Sequence, residues 1–151
     1  MEEGGIPVRV RTATANDIAA MMAVECQSPT AAHWPEARYE AMLAGGHLAL
    51  VIEESSVQGF VVGKGVRGEW EVENIAVSVS VQRQGLGTLL LREFLATAGK
   101  EDAKAVFLEV RESNQAARKF YEKFGFVLTG RRPRYYIDPQ EDALLYQLTM
   151  A

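Results

Sequence analysis

The sequence predicts an α/β fold in which helices pack on one mixed sheet. Apolar residues alternate in several short runs, which is typical of strands with one buried face. Between these runs, apolar residues recur every three or four positions, as in amphipathic helices. No repeat, low-complexity tract or linker divides the 151 residues. We therefore expect residues 1–151 to form one domain.

One strand and a helix are predicted at the start of the chain. Alternating apolar residues indicate a strand over 6–10. Thr14 or Asn16 can cap the helix that follows, and Pro29 ends it. The apolar face of this helix is predicted to consist of Ile18, Met21, Met22 and Cys26.

A second, short helix is predicted to follow. Pro35 suits its first turn, and the pair Gly45-Gly46 stops it. The loop before this helix contains Trp34, which we expect to be exposed or half buried.

Strands and helices alternate through the rest of the chain. We predict a helix after Gly87 and another that Gly125 ends. A closing hairpin is expected around a polar loop, Tyr135 to Asp142. The predicted strands cover 48–53, 58–66, 70–77, 105–110, 126–134 and 143–149.

The strand over 70–77 changes phase. Trp70 and Val72 place its apolar residues on even positions, whereas Ile75 and Val77 place them on odd ones. A β-bulge near residues 73–74 is the simplest device for this switch. It would turn the strand away from its next neighbour and expose backbone groups that could pair with an extended, amide-bearing ligand. An irregular edge strand without a ligand explains the pattern equally well.

Composition excludes several classes of protein. With a single cysteine, Cys26, the chain has no internal disulfide, and its two histidines, His33 and His47, show no metal-ligand spacing. We expect no metal site. No apolar run is long enough to span a bilayer, and the start resembles no signal peptide. We therefore expect a cytoplasmic protein that does not bind membranes.

The charge balance argues against nucleic-acid binding. The net charge is −4 and the pI is near 5.3, whereas proteins that bind nucleic acids usually carry a basic surface. Arg131, Arg132 and Arg134 form one basic cluster, which we expect to contact a small anion or a peptide.

A glycine turn links the phase-switching strand to the next helix. Gly85 and Gly87 lack a Cβ and allow close approach, and Thr88 could add a hydroxyl donor. Free backbone N–H groups and the helix dipole make such a turn an anion site. A Walker loop is absent, and a dinucleotide fold would need a third glycine where Leu90 stands. The pyrophosphate of a coenzyme A thioester fits the turn, although glycines that merely bend the chain would look the same.

These residues resemble a known family. Gln82-x-x-Gly85-x-Gly87 is similar to the Q/R-x-x-G-x-G/A signature of the GNAT superfamily of acyl-CoA-dependent N-acyltransferases. Further stretches resemble its RimI-type branch, the N-terminal alanine acetyltransferases of ribosomal protein S18. These stretches are 74–77 (Asn-Ile-Ala-Val), 108–114, 120–126, 132–136 and 141–143. The resemblance covers nearly the whole chain and implies the GNAT fold, in which a bulged fourth strand splays from the fifth.

The resemblance also implies a reaction. Acetyl-CoA would be the cosubstrate and a peptide N-terminal α-amine, such as that of ribosomal protein S18, the acceptor in a direct attack. Glu109 matches the catalytic base of the branch, and Tyr121 matches the acid that protonates the leaving thiolate. By position alone, Glu109 could instead pair with Arg111 or Arg118, and Tyr121 could be a core residue.

The remaining site residues follow from the same resemblance. Asn114 can cap its helix and also bind the cofactor. Two further sets of cofactor contacts are Ile75, Ala76 and Val77, and the turn Arg83, Gln84, Gly85, Leu86, Gly87 and Thr88. Because the turn acts through backbone N–H groups, we expect side-chain changes at Arg83, Gln84 or Leu86 to matter less than Gly87→Val. The acceptor groove is expected to involve Trp34, Tyr135, Tyr136 and Asp142.

Other functions stay open on the sequence alone. A related enzyme could acetylate a small-molecule amine or a lysine side chain. A non-catalytic acyl-CoA-binding module could keep the glycine turn, but would not need both Glu109 and Tyr121. A covalent route through Cys26 lacks a neighbouring base. The sequence leaves the oligomeric state open.

Overall fold

The computed structural model describes residues 7–28, 31–78 and 85–150. The elements follow the predicted order: β1 (Arg9–Thr12), a 3₁₀ turn (Ala15–Asp17), α1 (Ile18–Cys26), α2 (Glu36–Ala44), β2 (Leu48–Glu54), β3 (Ser56–Val66), β4 (Glu69–Val77), α3 (Leu86–Lys100), β5 (Ala105–Arg111), α4 (Gln115–Lys123), β6 (Val127–Tyr136) and β7 (Glu141–Thr149). Ile6 and Pro29, which figure in the predictions above, lie outside the described residues.

The described strands form one sheet in the order β1-β2-β3-β4-β5-β7-β6. Neighbouring strands run antiparallel, except that β4 and β5 run parallel. A parallel pair needs a crossover connection, and α3 lies in it. The mixed sheet predicted from the sequence is thus confirmed.

Helices cover both faces of this sheet. On one face α3 contributes Leu90, Leu91 and Phe94, which are fully buried in the core that α4 also joins. Their spacing of three and four residues is the reason that they share one side of the helix. On the other face α1 and α2 bury Met21 and Tyr39 in a second cluster. Each buried side chain of this size stabilises the fold by roughly 1.5–3 kcal/mol.

The predicted bulge is present in β4. Val62 pairs with Asn74, but the next residue, Gly63, pairs with Val72, so Glu73 is the extra residue. The close approach at this point requires glycine, because a Cβ on Gly63 would lie 2.1 Å from the backbone oxygen of Glu71. The bulge and the glycine together turn β4 away from β5.

The two central strands separate beyond the bulge. β4 and β5 pair over three residues only, from Glu69 with Ala105 to Glu71 with Phe107. Past this point β4 and β5 no longer pair with each other. The splay implied by the family resemblance is confirmed.

The closing hairpin differs from its predicted bounds. Tyr135, Tyr136, Glu141 and Asp142 belong to the strands rather than to the loop. The register of β6 against β7 shifts between Leu128 and Gly130 and between Arg132 and Tyr136. With these irregularities, β6 continues to Tyr136, into the segment that was predicted as a loop.

The buried face of α1 also differs from the prediction. Cys26 is exposed, whereas Val24 and Glu25 are buried beside Ile18 and Met21. A carboxylate can occupy a buried position because other groups satisfy it: the Tyr39 hydroxyl and the Trp34 backbone N–H both donate to Glu25.

Among helices of the described residues, even α3, with 15 residues, is too short to cross a membrane.

Candidate active site

A large cleft opens where β4 and β5 separate. Its volume is about 1050 Å³, which reaches the upper end of typical small-molecule sites, roughly 300–1,000 Å³. The start of α3 and the bulged part of β4 form one wall, and β5 with α4 forms the other. The predicted site residues that line it are Trp34, Ile75, Ala76, Val77, Gly85, Leu86, Gly87, Thr88, Glu109, Asn114, Tyr121, Tyr135 and Tyr136.

The N-terminus of α3, where an anion site is predicted, opens into this cleft. Gly85 caps the helix with φ +80°, a left-handed conformation that favours glycine, and the space where a Cβ would project is open to 4 Å. The first N–H groups of any α-helix lack intrahelical acceptors, so those at this end can bind phosphate oxygens. The chain therefore fits the pyrophosphate of an acyl-CoA. Arg83 and Gln84 lie outside the described residues.

Leu86 does more than its predicted role requires. Its side chain is 4% exposed and belongs to the α3 core, while its backbone borders the cleft. Truncation of this side chain would open a cavity in the core and lower the stability of the fold. That such a change affects the cofactor site less than Gly87→Val stays a prediction.

Strand β4 contributes the second set of predicted cofactor contacts to the cleft. Ile75, Ala76 and Val77 follow the last residue that pairs with β5. A strand edge of this kind can hydrogen-bond an extended ligand that carries amides. Asn114 faces the same cleft and caps α4, since its Oδ1 accepts the backbone N–H of Ala117 at 3.1 Å.

Glu109 lies on β5 and lines the cleft. Its side chain is 21% exposed, and its Oε2 is 2.6 Å from Nε of Arg132. This partner differs from both cations considered from the sequence. Arg111 pairs with Glu141 instead, and Arg118 contacts the Tyr146 hydroxyl.

Tyr121 reaches the cleft from α4. It is 7% exposed and packs edge-to-face against Phe120 and Phe126. Burial raises the pKa of its phenol above the ordinary range, and Tyr136 adds to this shift. The phenol therefore stays protonated throughout the neutral range and can serve only as a proton donor there.

The side of the cleft where the acceptor is predicted to bind is rich in aromatic residues. Trp34 is buried, at 7% exposure, rather than exposed or half buried as expected, because it packs against Tyr39 and carries Arg38 over its ring at 4.1 Å. Tyr135 is half exposed, and the negative charge of Glu109 is the main cause that raises the pKa of its phenol.

Tyr136 and Asp142 take different positions from one another. Tyr136 lines the cleft beneath the Arg111 guanidinium, 4.3 Å from its ring, and burial raises its pKa to about 12. Asp142 is absent from the described cleft wall. Its carboxylate accepts hydrogen bonds from Arg131 Nη1 at 2.6 Å and from the Arg134 backbone N–H at 2.9 Å.

The basic cluster predicted at 131–134 is largely neutralised within the chain. Arg131 pairs with Glu112 and Asp142, and Arg132 with Glu109. These carboxylates occupy the positions that an external anion would take. Arg131 and Arg132 therefore form ion pairs within the chain, beside the cleft, and their charges are not available to an external anion.

Sequence reasoning missed a network that ties the acceptor loop to the bulge. The Asn74 side chain donates to the backbone oxygen of Ala32 at 3.0 Å and to the Tyr39 hydroxyl at 3.3 Å. That hydroxyl in turn donates to the buried Glu25. The only signal in the sequence was a polar residue, Asn74, within a strand whose neighbouring residues are mostly apolar.

Carboxylates gather where the two strands diverge. Glu71 and Glu73 line the cleft together with Glu109. Desolvation raises the pKa of Glu71, and the negative charges of Glu73 and Glu109 raise it further. In the described part of the chain, no three His, Cys, Asp or Glu side chains are arranged to hold a metal ion.

This arrangement suits acyl transfer. A carboxylate can accept the proton of an attacking amine, and a neutral phenol can protonate a leaving group. Both groups face one cleft whose far end can bind a phosphate-bearing carrier.

Comparisons with known proteins agree with this chemistry. Residues 17–126 match the acetyltransferase (GNAT) family. A Bacillus subtilis (strain 168) protein, provisionally named a ribosomal protein bS18-alanine N-acetyltransferase, is 30% identical over 143 residues, or 93% of this chain and 95% of the relative. The ribosomal protein bS18-alanine N-acetyltransferase of Escherichia coli (strain K12) is 36% identical over 101 residues, covering 66% and 68%.

A solved structure extends the similarity to the fold. The crystal structure of the ribosomal-protein-S18-alanine N-acetyltransferase from Escherichia coli superposes with a TM-score of 0.86, at 30% identity and 96% coverage of both chains. The chain is therefore an N-acetyltransferase that belongs to the GNAT family and takes its acetyl group from acetyl-CoA.

Proposed function

We propose that this protein acetylates the α-amine of a protein N-terminus, with the N-terminal alanine of ribosomal protein S18 as its substrate. The observation that carries the proposal is the convergence of Glu109 and Tyr121 on one cleft between the splayed strands. The relatives that share most of the chain and are named for this reaction support the choice of acceptor.

Acetyl-CoA supplies an acetyl group already activated as a thioester. The backbone N–H groups of Gly87 and Thr88 would hold its pyrophosphate at the start of α3. The part of β4 from Ile75 to Val77, beyond its pairing with β5, would contact its amide-bearing arm.

Glu109 acts as the base in this proposal. A peptide α-amine has a pKa of about 7.7–8.0, so only a modest base is needed to remove its proton near neutral pH. The guanidinium of Arg132 now lies beside the Glu109 carboxylate, where a cationic amine would also bind. Arg132 is 57% exposed on its side chain and can move aside into water.

Tyr121 acts as the acid. Its phenol is protonated at neutral pH because burial disfavours the phenolate. It donates its proton to the sulfur as the thiolate leaves, and regains one from solvent or from the base between turnovers.

A direct assay tests the acceptor. The purified protein is incubated with acetyl-CoA and a peptide that carries the first residues of ribosomal protein S18 from the same genome. We expect acetylation of the α-amine, located by mass spectrometry, and none of a peptide whose α-amine is blocked but which contains lysine. Acetylation of the lysine peptide alone would favour a side-chain acetyltransferase and contradict the proposal.

Variants test the base. Glu109→Gln should lower kcat by about 10²–10⁴, the range typical of a lost general base. Glu93→Gln, an exposed carboxylate on α3, is the matched control and should keep wild-type turnover. If Glu109→Gln retains full activity, Glu109 is not the base.

A further inference from the structure

The bulge in β4 places a carboxylate between the cleft and a histidine behind it. Glu73, the extra residue of the bulge, lines the cleft. Its Oε1 lies 3.3 Å from Nε2 of His47, and the two side chains are 17% and 16% exposed. His47 follows α2 and is absent from the described cleft wall. The pair therefore connects the cleft with a position outside its wall.

Two atoms of this pair have no hydrogen-bond partner among the described residues. They are Nδ1 of His47 and Oε1 of Glu73, whose contact with Nε2 lacks the alignment of a hydrogen bond. Both atoms are shielded from solvent. Because buried polar atoms without a protein partner usually bind an ordered water, each can be joined to its surroundings through water. A contact that only held the bulge in place would not leave both atoms without a partner.

His47 and Glu109 lie on the same face of the sheet. The neighbours of Glu109 on β5, Leu108 and Val110, belong to the α3 core. Since successive side chains of a strand alternate, Glu109 projects to the opposite face. His47 stands two residues before Ala49, which belongs to the second cluster, beneath α1 and α2. A path between His47 and Glu109 therefore does not have to cross the sheet.

Glu73 occupies the space between these two residues. The last pair of β4 with β5 is Glu71 with Phe107, and Glu73 and Glu109 each stand two residues beyond it on their own strands. Desolvation raises the pKa of Glu71, and the negative charges of Glu73 and Glu109 raise it further, as expected when both are near. Paired strands lie about 4.8 Å apart, so a water can bridge the two carboxylates where the strands begin to separate.

Acetylation of an α-amine leaves one proton to be removed in each turnover. The ammonium form of the amine loses two protons as it becomes an amide. In the proposed reaction one of them reaches the thiol of CoA by way of Tyr121, and the other stays on Glu109. Glu109 must lose this proton before it can act again. Bound substrates occupy the cleft, so an outlet through the cleft wall would not depend on their release.

We propose that Glu73 and His47 are this outlet. Glu109 passes its proton through a cleft water to Glu73, and the Glu73 carboxyl passes it to Nε2 of His47. The opposite nitrogen, Nδ1, then releases a proton to water, and the ring regains its first tautomer by exchange with water. Imidazole suits this step because one ring nitrogen can accept a proton while the other donates one. The outlet rests on the proposed function in that Glu109 is the base.

The first test compares His47→Gln with wild type. Glutamine keeps an N–H group beside Glu73 but cannot relay a proton. We expect kcat to fall about 10-fold, less than for loss of the base itself, because water still carries the proton slowly. Rapid quench should show a first turnover at the wild-type rate, followed by slow steady-state turnover. Both KM values and the melting temperature should stay near wild type, which a structural role of His47 would not predict.

Two further variants place Glu73 in the same path. Glu73→Gln should lower kcat by a similar factor, and the double variant His47→Gln/Glu73→Gln should lose no more than either single variant. Glu93→Gln, an exposed carboxylate on α3, is the control and should keep wild-type turnover.

Chemical rescue separates proton transfer from packing. His47→Ala leaves a space that free imidazole can enter, and added imidazole should restore kcat by about 5-fold or more. Pyrazole has the same size but is a far weaker base, so it should not restore turnover. Rescue should also fail in His47→Ala/Glu73→Gln, where the preceding step is missing.

The assay uses whichever amine the wild-type protein acetylates fastest among the S18 peptide, a lysine peptide and a small primary amine. A wrong acceptor assignment therefore leaves the test intact. If Glu109→Gln stays active while His47→Gln shows the fast first turnover and His47→Ala the imidazole rescue, the outlet stands and the proposed base fails. The outlet is refuted if His47→Gln keeps wild-type kcat, if its first turnover slows as much as its steady state, or if pyrazole rescues His47→Ala as well as imidazole does.

Discussion

At the scale of single residues, the candidate site contains an ion pair, Glu109 with Arg132, whose two side chains differ in solvent exposure. Glu109 is largely shielded, whereas Arg132 is mostly exposed, and 2.6 Å separates them. A pair with one exposed member contributes about 1 kcal/mol or less. In the proposed reaction, an incoming amine would therefore displace Arg132 at little cost, while Glu109 keeps its place on a paired strand.

The phenol of Tyr121 gives the first prediction. Tyr121→Phe removes the proton donor and keeps the ring, which packs on Phe120 and Phe126. We expect kcat to fall by about 10²-fold or more, as for other general acids. The Kd for acetyl-CoA and the melting temperature should stay near wild type. A variant with full turnover would exclude Tyr121 as the acid.

A second prediction concerns the tie between Asn74 and the acceptor loop. Asn74→Asp keeps the shape of the side chain but loses the N–H group that donates to Ala32 and Tyr39. A lone hydrogen-bond partner left buried costs about 1–3 kcal/mol. We expect the free energy of unfolding to fall by this amount and the KM for the peptide to rise about 10-fold.

The matched comparison is Asn74→Ala, which removes the donor without adding a charge near the buried Glu25. It should be less harmful than Asn74→Asp in urea unfolding. Equal KM values for wild type and both variants would show that the loop needs no such tie.

The single residues show which parts of the site a sequence can predict. Glu109 and Tyr121 stand in stretches that resemble a family, so their roles could be proposed without coordinates. The contact of Arg132 with Glu109 depends on the shifted register of β6 against β7. No local pattern encodes that register, and the arginine cluster was therefore expected to contact a small anion or a peptide.

At the scale of elements, the N-terminus of α3 depends on one backbone conformation. Gly85 and Gly46 have nearly the same left-handed φ, +80° and +83°, and neither has an atom within 4 Å of an added Cβ. Both positions therefore favour glycine for the same conformational reason. Gly85 lies beside the cleft, and Gly46 lies at the end of α2.

This pair provides a third prediction with a built-in control. Gly85→Ala and Gly46→Ala should each lower the free energy of unfolding by about 1–2 kcal/mol, because a Cβ disfavours the left-handed region. Only Gly85→Ala should also raise the KM for acetyl-CoA, by about 10-fold, since it distorts the phosphate-binding turn. Equal KM values for both variants would refute a donor site at this turn.

The elements also separate local from non-local information. The bulge in β4 was predictable because a switch from even to odd apolar positions can be seen within eight residues. The extension of β6 to Tyr136 was not, because that strand is mostly exposed and carries little alternation. Its course follows from pairing with β7, which lies beyond a turn.

At the scale of the whole molecule, a polar clamp fixes the edge strand β1 to the helical layer. Arg11 donates to both carboxylate oxygens of Asp17, at 2.8 and 2.9 Å, and also to Glu53 on β2. The backbone N–H of Thr14 donates to Asp17 at 2.7 Å. These hydrogen bonds lower the pKa of Asp17 to about 2, and the hydrogen bond from Arg11 has the largest effect.

The fourth prediction follows from the sign of that shift. A carboxylate whose pKa is lowered by folding stabilises the fold above its ordinary pKa, and this stabilisation is lost as the pH falls through the folded value. Asp17→Asn should therefore be less stable than wild type by about 1–3 kcal/mol at pH 7. The difference should shrink between about pH 4 and pH 2.

Urea unfolding at a series of pH values measures this difference. Asp102→Asn, at an exposed turn, controls for the loss of one carboxylate and should track wild type. A stability gap for Asp17→Asn that stays constant down to pH 2 would contradict the clamp.

The short contact between β4 and β5 has a consequence for how such enzymes diversify. Only three residue pairs join the two strands, so the halves of the sheet cohere mainly through side chains of the shared α3 core. The carrier-binding turn belongs to one half, and the β6–β7 hairpin to the other. If the proposed function holds, substitutions in that hairpin would change which amine is accepted while the binding of acetyl-CoA stays unchanged, and the hairpin is then the place to engineer new selectivity.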